Sequence, residues 1–112
     1  MLLHIISTAG WAAAQSAGSI TPAAGEDFVH CSDRGVVHVT AGRFFHGQSG
    51  LLLLVIDPRL LDVPVRWEAV ADSPLWFPHV YGPIPVHAVT EVHDFPCQAD
   101  GSFVLPENVA VL

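Results

Sequence analysis

The sequence predicts an α+β fold, a mainly antiparallel sheet with two early helices. Three observations carry this. Two amphipathic segments, each preceded by a residue able to cap a helix, lie in the first half of the chain. An unbroken aliphatic run, Leu51 to Ile56, reads as a strand covered on both faces. Everything after that run reads as strand or turn, so the crossover helices of a doubly wound parallel fold are missing.

Leu2 to Ile6 reads as a short buried strand, with Leu3 and Ile5 on one face and Leu2, His4 and Ile6 on the other. Ser7 or Thr8 is placed to cap a first helix with Trp11 and Ala14 inward, and Gly18 to stop it. Pro22 and Gly25 mark a loop over 19–27. Phe28 to Ser32 is the next strand, with Phe28, His30 and Ser32 sharing a face opposite Val29 and Cys31. Asp33 is positioned to cap a second helix ending near Gly47. Its apolar positions Val37, Ala41, Phe44 and Phe45 recur at helical spacing.

After the aliphatic run, Asp57-Pro58 opens a short helical turn through Leu61. Val65 to Glu68 is a strand, with Arg66 and Glu68 facing away from Val65 and Trp67. A loop follows through Pro74. Phe77 to Pro83 holds too many prolines and glycines for a long strand. Val86 to His93 alternates, placing Val86, Ala88, Thr90 and Val92 opposite His87, Val89, Glu91 and His93. A last short strand is expected around Phe103 to Leu105.

The 112 residues suit one domain able to bury a core, and a hydrophobic content of 51% makes disorder a poor fit. The only basic residues are Arg34, Arg43, Arg59 and Arg66. Against 11 acidic residues they leave a net charge of -7. Nucleic-acid binding draws on a basic face that displaces counterions, so no nucleic-acid partner is expected, although a local arginine could hold one phosphate. Cys31 and Cys97 lack a CxxC spacing and are expected to stay reduced in a cytoplasmic protein. The apolar N-terminal stretch has no Lys or Arg before it and is broken by His4, so it does not read as a signal peptide. The longest apolar run is far too short to span a membrane.

The chemistry-bearing candidates are polar residues that interrupt apolar strands. His30 and Ser32 share a face of a buried strand, either as a satisfied structural pair or as a site. His4 breaks the first strand, and it gains weight as a site residue if that strand lies beside 28–32. In FPHVYGP the prolines hold His79 and Tyr81 extended. Tyr81 could stack on a flat ligand ring or simply pack in a rigid turn. Glu68 follows Trp67. A carboxylate beside so large an apolar surface could have a raised pKa and act as acid or base, or could stabilise a cationic sugar. It could equally face solvent, paired with Arg66 or Arg43. The seven histidines show no HxxxH or HExxH spacing, so no metal site is expected. His38, His46, His87 and His93 read as surface residues. GxSxG, P-loop and GxGxxG motifs are absent.

Several segments together carry a family likeness: HIIS, FVHCS, TAGRFF, LLLLVIDPRLL, VRWE and FPHVYGPIPVHAV, with FVHCS and FPHVYGPIP the most specific. They resemble the DUF952 family of small bacterial proteins, up to about Val92. The resemblance implies a fold like that of the ADP-ribosyltransferases, similar to the catalytic half of RNA 2′-phosphotransferases, and with it NAD as cofactor. It implies that His4 holds ribose hydroxyls, that His30 and Ser32 line the cleft as a His-x-Ser pair, and that Tyr81 stacks on nicotinamide with His79 beside it. Arg43 would grip phosphate, with Arg66 in reserve, and Glu68 would support the ribose cation. The chain departs from these relatives in having few arginines and no Glu-x-Glu signature. The expected function is therefore an NAD- or nucleotide-using transferase of ADP-ribosyl or phosphoryl groups, acting on a small molecule or protein. A non-catalytic nucleotide-binding module and a metal-dependent hydrolase are the alternatives.

Overall fold

The computed structural model describes residues 1–70 and 73–109. The expected loop across 71–72 and the last three residues of the tail lie outside the described residues. Among the described residues eight strands and two α-helices run in the order β1 (Leu2–Ser7), α1 (Thr8–Ala17), β2 (Ser19–Ile20), β3 (Val29–His30), α2 (Val37–Phe44), β4 (Leu51–Ile56), β5 (Val65–Ala69), β6 (Trp76–Val80), β7 (Ile84–Pro85) and β8 (Val89–Asp94). Short 3₁₀ turns at Pro58–Leu60 and Val86–Ala88 complete the order. The strands pair antiparallel in three sheets, β1-β4-β8, β3-β6-β5 and the small β2-β7. This is the expected α+β class, with the strands divided among small sheets.

β4 lies between β1 and β8, and all six of its residues are buried. Because side chains alternate, it feeds two cores. Leu52, Leu54 and Ile56 pack with Leu2, Val29, Cys31, Val80 and Ile84. Leu51, Leu53 and Val55 pack with Leu3, Val37, Ala41, Phe95 and Phe103. Helix α1 lies on the first face through Ala14 and the half-buried Trp11. Helix α2 lies on the second through Val37 and Ala41. The alternation read along Leu2 to Ile6 therefore puts Leu2 and Leu3 into different cores.

The caps of α1 follow the sequence. The Ser7 hydroxyl accepts from Gly10 N at 2.9 Å, and Gly18 closes the helix at φ 93°. Helix α2 differs. Asp33 turns its carboxylate onto Gly35 N at 2.8 Å in an Asx turn, so the helix starts later, at Val37, without a side-chain cap. It also ends earlier, at Phe44, whose ring is 63% exposed although its spacing placed it inward.

Four strand expectations are revised. The strand expected over 28–32 is reduced to Val29–His30, followed by an isolated bridge from Ser32 to Leu3. Of the Phe77–Pro83 segment, Phe77 to Val80 join Trp76 in a five-residue strand, β6, at the centre of its sheet, and Tyr81 to Pro83 lie outside it. Pro78 is tolerated there because Cys31 N donates to its carbonyl at 3.2 Å while the return bond, which proline cannot give, falls where β3 ends. Strand β8 starts only at Val89, after the 3₁₀ turn, and its inward face carries Glu91 and His93 while Val92 is exposed. His93, expected at the surface, is largely buried and paired with Glu91 at 2.6 Å. No strand forms around Phe103; its ring packs on Phe95 at 5.0 Å from a loop.

Candidate functional site

The site begins at the bridge between β1 and Ser32. Leu3 N donates to Ser32 O at 2.8 Å, and Ser32 N returns a bond to Leu3 O at 2.7 Å. This is the one ladder contact joining β1 to the 28–32 segment among the described residues. Beyond it the two strands part, and a cleft of about 570 Å³ opens between them. Its walls come from residues 3–6 of β1 and residues 28–32, with Ile20 and Thr21, Glu26, the end of α2 at Thr40, Phe44 and Phe45, and Phe77 and His79 of β6. Most of this lining is apolar, and among the described residues neither Lys nor Arg contributes to it. Glu26 is its carboxylate.

His4 projects from β1 into the first core's face, as its alternation required. Its Nδ1 lies 2.6 Å from the His30 carbonyl oxygen. A carbonyl only accepts, so Nδ1 carries the proton and Nε2 is left as an acceptor. Burial disfavours the imidazolium and lowers the His4 pKa, against a smaller opposing effect of the carbonyl. His4 is thus a neutral imidazole with a fixed tautomer on the cleft wall.

Phe28 organises the other wall. Its ring stacks on His79 with centroids 4.0 Å apart and planes at 16°. It meets His30 edge-on at 4.7 Å and Tyr81 at 5.2 Å. His79, only 3% exposed, sits opposite His30 in the β3–β6 register. Its Nδ1 lies 2.8 Å from Glu68 Oε1, and the same oxygen accepts from the Tyr81 hydroxyl at 2.5 Å. The Arg66 guanidinium covers the Tyr81 ring at 4.9 Å from its centroid.

These contacts reverse the expectation of a raised Glu68 pKa. The Tyr81 hydroxyl, then His79, hold the Glu68 carboxyl below its ordinary range, and the same bond pushes the Tyr81 phenol up. Trp67 points to the opposite face of β5 and gives Glu68 no apolar shelter. Among the described residues Glu68 forms no ion pair with Arg66 or Arg43; its partner is His79. Glu68 and Tyr81 stand behind His79 and do not line the cleft.

His30 lies at the cleft mouth with 57% of its side chain exposed, and its Nε2 is bonded to the Glu26 carboxylate. Ser32 is 5% exposed and turns toward the cleft floor beside the bridge. Arg43 lies outside the cleft, with its guanidinium over the Phe44 ring at 5.2 Å. The structure therefore gathers His4, His30, Ser32 and His79 on one cleft, sets Glu68 and Tyr81 behind His79, and leaves Arg43 apart. Among the described residues no three His, Cys, Asp or Glu side chains gather as metal ligands.

Two contributors escaped sequence reasoning. Glu26 sits in a loop without periodicity. It reaches His30 because the turn closed by Glu26 N and Ala23 O at 2.9 Å, with Gly25 at φ 81°, doubles the chain back. Phe28 was readable, since it shares the His30 face, but an aromatic on a strand signals core before it signals a site.

Fold and site together define a small α+β protein with an imidazole-rich cleft between two parting strands. The chain belongs to the DUF952 family, described as proteins of unknown function, whose model matches residues 5–92. It is similar to protein CC0527 of Caulobacter crescentus. The crystal structure of that protein shows 33% identity and a TM-score of 0.81, with 91% of each chain covered. Its solution NMR structure shows 34% identity and a TM-score of 0.75, covering 90% of this chain and 89% of that one. No curated protein matches the chain. Among the described residues no helix is long and apolar enough to cross a membrane.

Proposed function

We propose that the protein is a cytoplasmic transferase that takes NAD, or a closely related nucleotide, into the cleft and transfers its ADP-ribosyl part to a small molecule or protein. The reading treats the fold as one of the ADP-ribosyltransferase kind, near the RNA 2′-phosphotransferases. The observation that carries it is the convergence of His4, His30, Ser32 and His79 on a single cleft of about 570 Å³. That volume lies within the range of ordinary small-ligand sites. The two segments that most specifically carry the family likeness, FVHCS and FPHVYGPIP, are the ones that supply His30, Ser32 and His79.

The apolar lining suits the nicotinamide ribose end of the donor better than its pyrophosphate, which would lie in solvent outside the cleft. In this reading His4 Nε2 and the Ser32 hydroxyl take ribose hydroxyls, both residues lining the cleft. Phe28 gives the flat ring an aromatic neighbour in the role first assigned to Tyr81. Glu26, on the cleft wall, is better placed than Glu68 to face a developing ribose cation. No nucleic-acid or membrane partner enters this reading.

Isothermal titration with NAD and with ADP-ribose, alongside detection of released nicotinamide, tests the proposal. Binding below about 1 mM, the upper end of ordinary enzyme–substrate affinities, with nicotinamide release that His30→Ala abolishes, is the expected result. No binding and no release would overturn it.

One observation favours a second reading, a cleft that only binds. Glu68, the carboxylate that the resemblance to transferases singles out, is committed to His79 and Tyr81 and is withdrawn from the cleft. That reading expects tight, unchanged ligand and no nicotinamide release in the same experiment.

A further inference from the structure

We infer that His79 is the proton acceptor of the cleft and that Glu68 and Tyr81 are its positioning residues, a role that deepens the transferase reading and rests on it. Glu68 Oε1 receives two bonds at once, from the Tyr81 hydroxyl at 2.5 Å and from His79 Nδ1 at 2.8 Å. A carboxylate that accepts from both sides leaves His79 with its proton on Nδ1 and an open lone pair on Nε2. The imidazole is almost wholly buried, yet it lines the cleft that Glu68 does not reach, so it bridges the carboxylate and the cavity. Among the described residues Nε2 has no hydrogen-bond partner. Phe28 stacked at 4.0 Å fixes the plane of the ring.

The other two cleft histidines are less suited. His4 bonds a carbonyl, so a proton arriving on its ring would find no counter-charge, and burial already disfavours it. His30 has a carboxylate partner in Glu26 but stands in solvent at the mouth, where water competes for every proton. Of the three cleft histidines, His79 alone combines a dry setting, a carboxylate behind it and a second ring nitrogen without a partner among the described residues.

The step follows. An acceptor hydroxyl bonds through its oxygen to the anomeric carbon of the donor ribose and gives its proton to His79 Nε2. The bond from that carbon to the pyridinium nitrogen breaks, its electron pair returns to the nitrogen, and neutral nicotinamide leaves. The imidazolium formed on His79 faces the Glu68 carboxylate, which stabilises it where it appears.

Long-range proton–nitrogen NMR of the histidine rings reads the tautomer directly, and nicotinamide release from NAD reads the chemistry. In the wild type His79 is expected as the Nδ1–H tautomer. In Glu68→Gln it becomes a mixture of tautomers, because an amide can donate as well as accept. His79→Gln should lose about 100-fold or more in release while NAD affinity stays within about threefold. If His79→Gln fails to fold, Glu68→Gln, which leaves the ring in place, carries the test through its tautomer and a smaller loss of release. An Nε2–H tautomer in a wild type that releases nicotinamide, or undiminished release by folded His79→Gln, overturns the role of His79 alone. Absence of release by the wild type overturns the donor proposed above and this use of His79 with it.

Discussion

His4 shows how one residue acquires its chemistry from a neighbour distant in sequence. In the chain it is a polar interruption of an apolar strand, and a core residue reads the same way. Beside 28–32 it becomes a neutral ring bonded through Nδ1 to the His30 carbonyl. Its pKa lies below the ordinary 6.5 because burial opposes the charged form. The unfolded chain, with the higher pKa, binds more protons as pH falls below 6.5, so acid favours unfolding. Stability is therefore expected to be flat with respect to this group above pH 6.5 and to fall below it, by at most about 1.4 kcal/mol per pH unit. The carboxyls with depressed pKa values, Asp57, Glu68 and Asp100, begin to matter only nearer their own lower ranges. Urea midpoints measured from pH 7.5 to 5 in the wild type and in His4→Gln check this. The variant should show a shallower slope; equal slopes would mean that His4 does not titrate with folding.

Glu68 is the opposite lesson at this scale. Its neighbour in sequence, Trp67, suggested a raised pKa, but adjacent strand residues face opposite ways. The cross-strand partners that set its proton affinity, His79 and Tyr81, come from β6 and the residue after it.

At the scale of elements, local chemistry settled some boundaries and mislaid others. The Ser7 cap, the Gly18 stop and the aliphatic β4 depend on nearest neighbours and were legible. Strand β6 was not, because a proline's cost depends on which side of the ladder its missing N–H faces, and that is decided by the end of β3. Strand β8 was misread for a related reason. Alternation tells which residues share a face but not which face is covered, and here the polar pair Glu91 and His93 turns inward.

The turn after β6 sets where Tyr81 can stand. Tyr81 N donates to Pro64 O at 2.9 Å, and Gly82 follows at φ 150°. A methyl at Gly82 would meet Val63 Cγ1 at 2.5 Å, on a branched side chain with little freedom to yield. Gly82→Ala is expected to cost about 1–3 kcal/mol through strain and overlap. Gly18→Ala, at φ 93° but in open space, should cost less. Thermal melts of the two variants test the order, and an equal fall in Tm would show that Val63 moves aside without penalty.

Across the whole molecule, the β1-β4-β8 sheet separates two cores, and both reach the cleft, the first through Ile20, Val29 and Cys31 and the second through Leu3, Ile5 and Phe45. Leu54 packs with Val29, Cys31 and Val80 in the first, and burial there pushes the Cys31 thiol up to about 12. Leu53 packs with Phe95 and Phe103 beneath α2. Leu54→Ala and Leu53→Ala are each expected to cost about 2–5 kcal/mol. Their spectra should differ. The first should move the ring signals of His30 and His79, and the second those of Phe95 and Phe103. Shifts of one common set would contradict the division into two cores.

The sequence by itself determined the α+β class, the helix α1 with both its ends, the buried β4 and the polar residues that break apolar strands. Each follows from periodicity, capping and burial preference, which act over a few neighbouring residues. Only the tertiary structure decided that β1 and the 28–32 segment touch at Leu3 and Ser32 and then part, opening the cleft. It alone brought Glu26 to His30 and placed Glu68 behind His79. Those pairings depend on strand register and on where a ladder ends. Both are set by the packing of segments far apart in the chain, where local pattern carries no information.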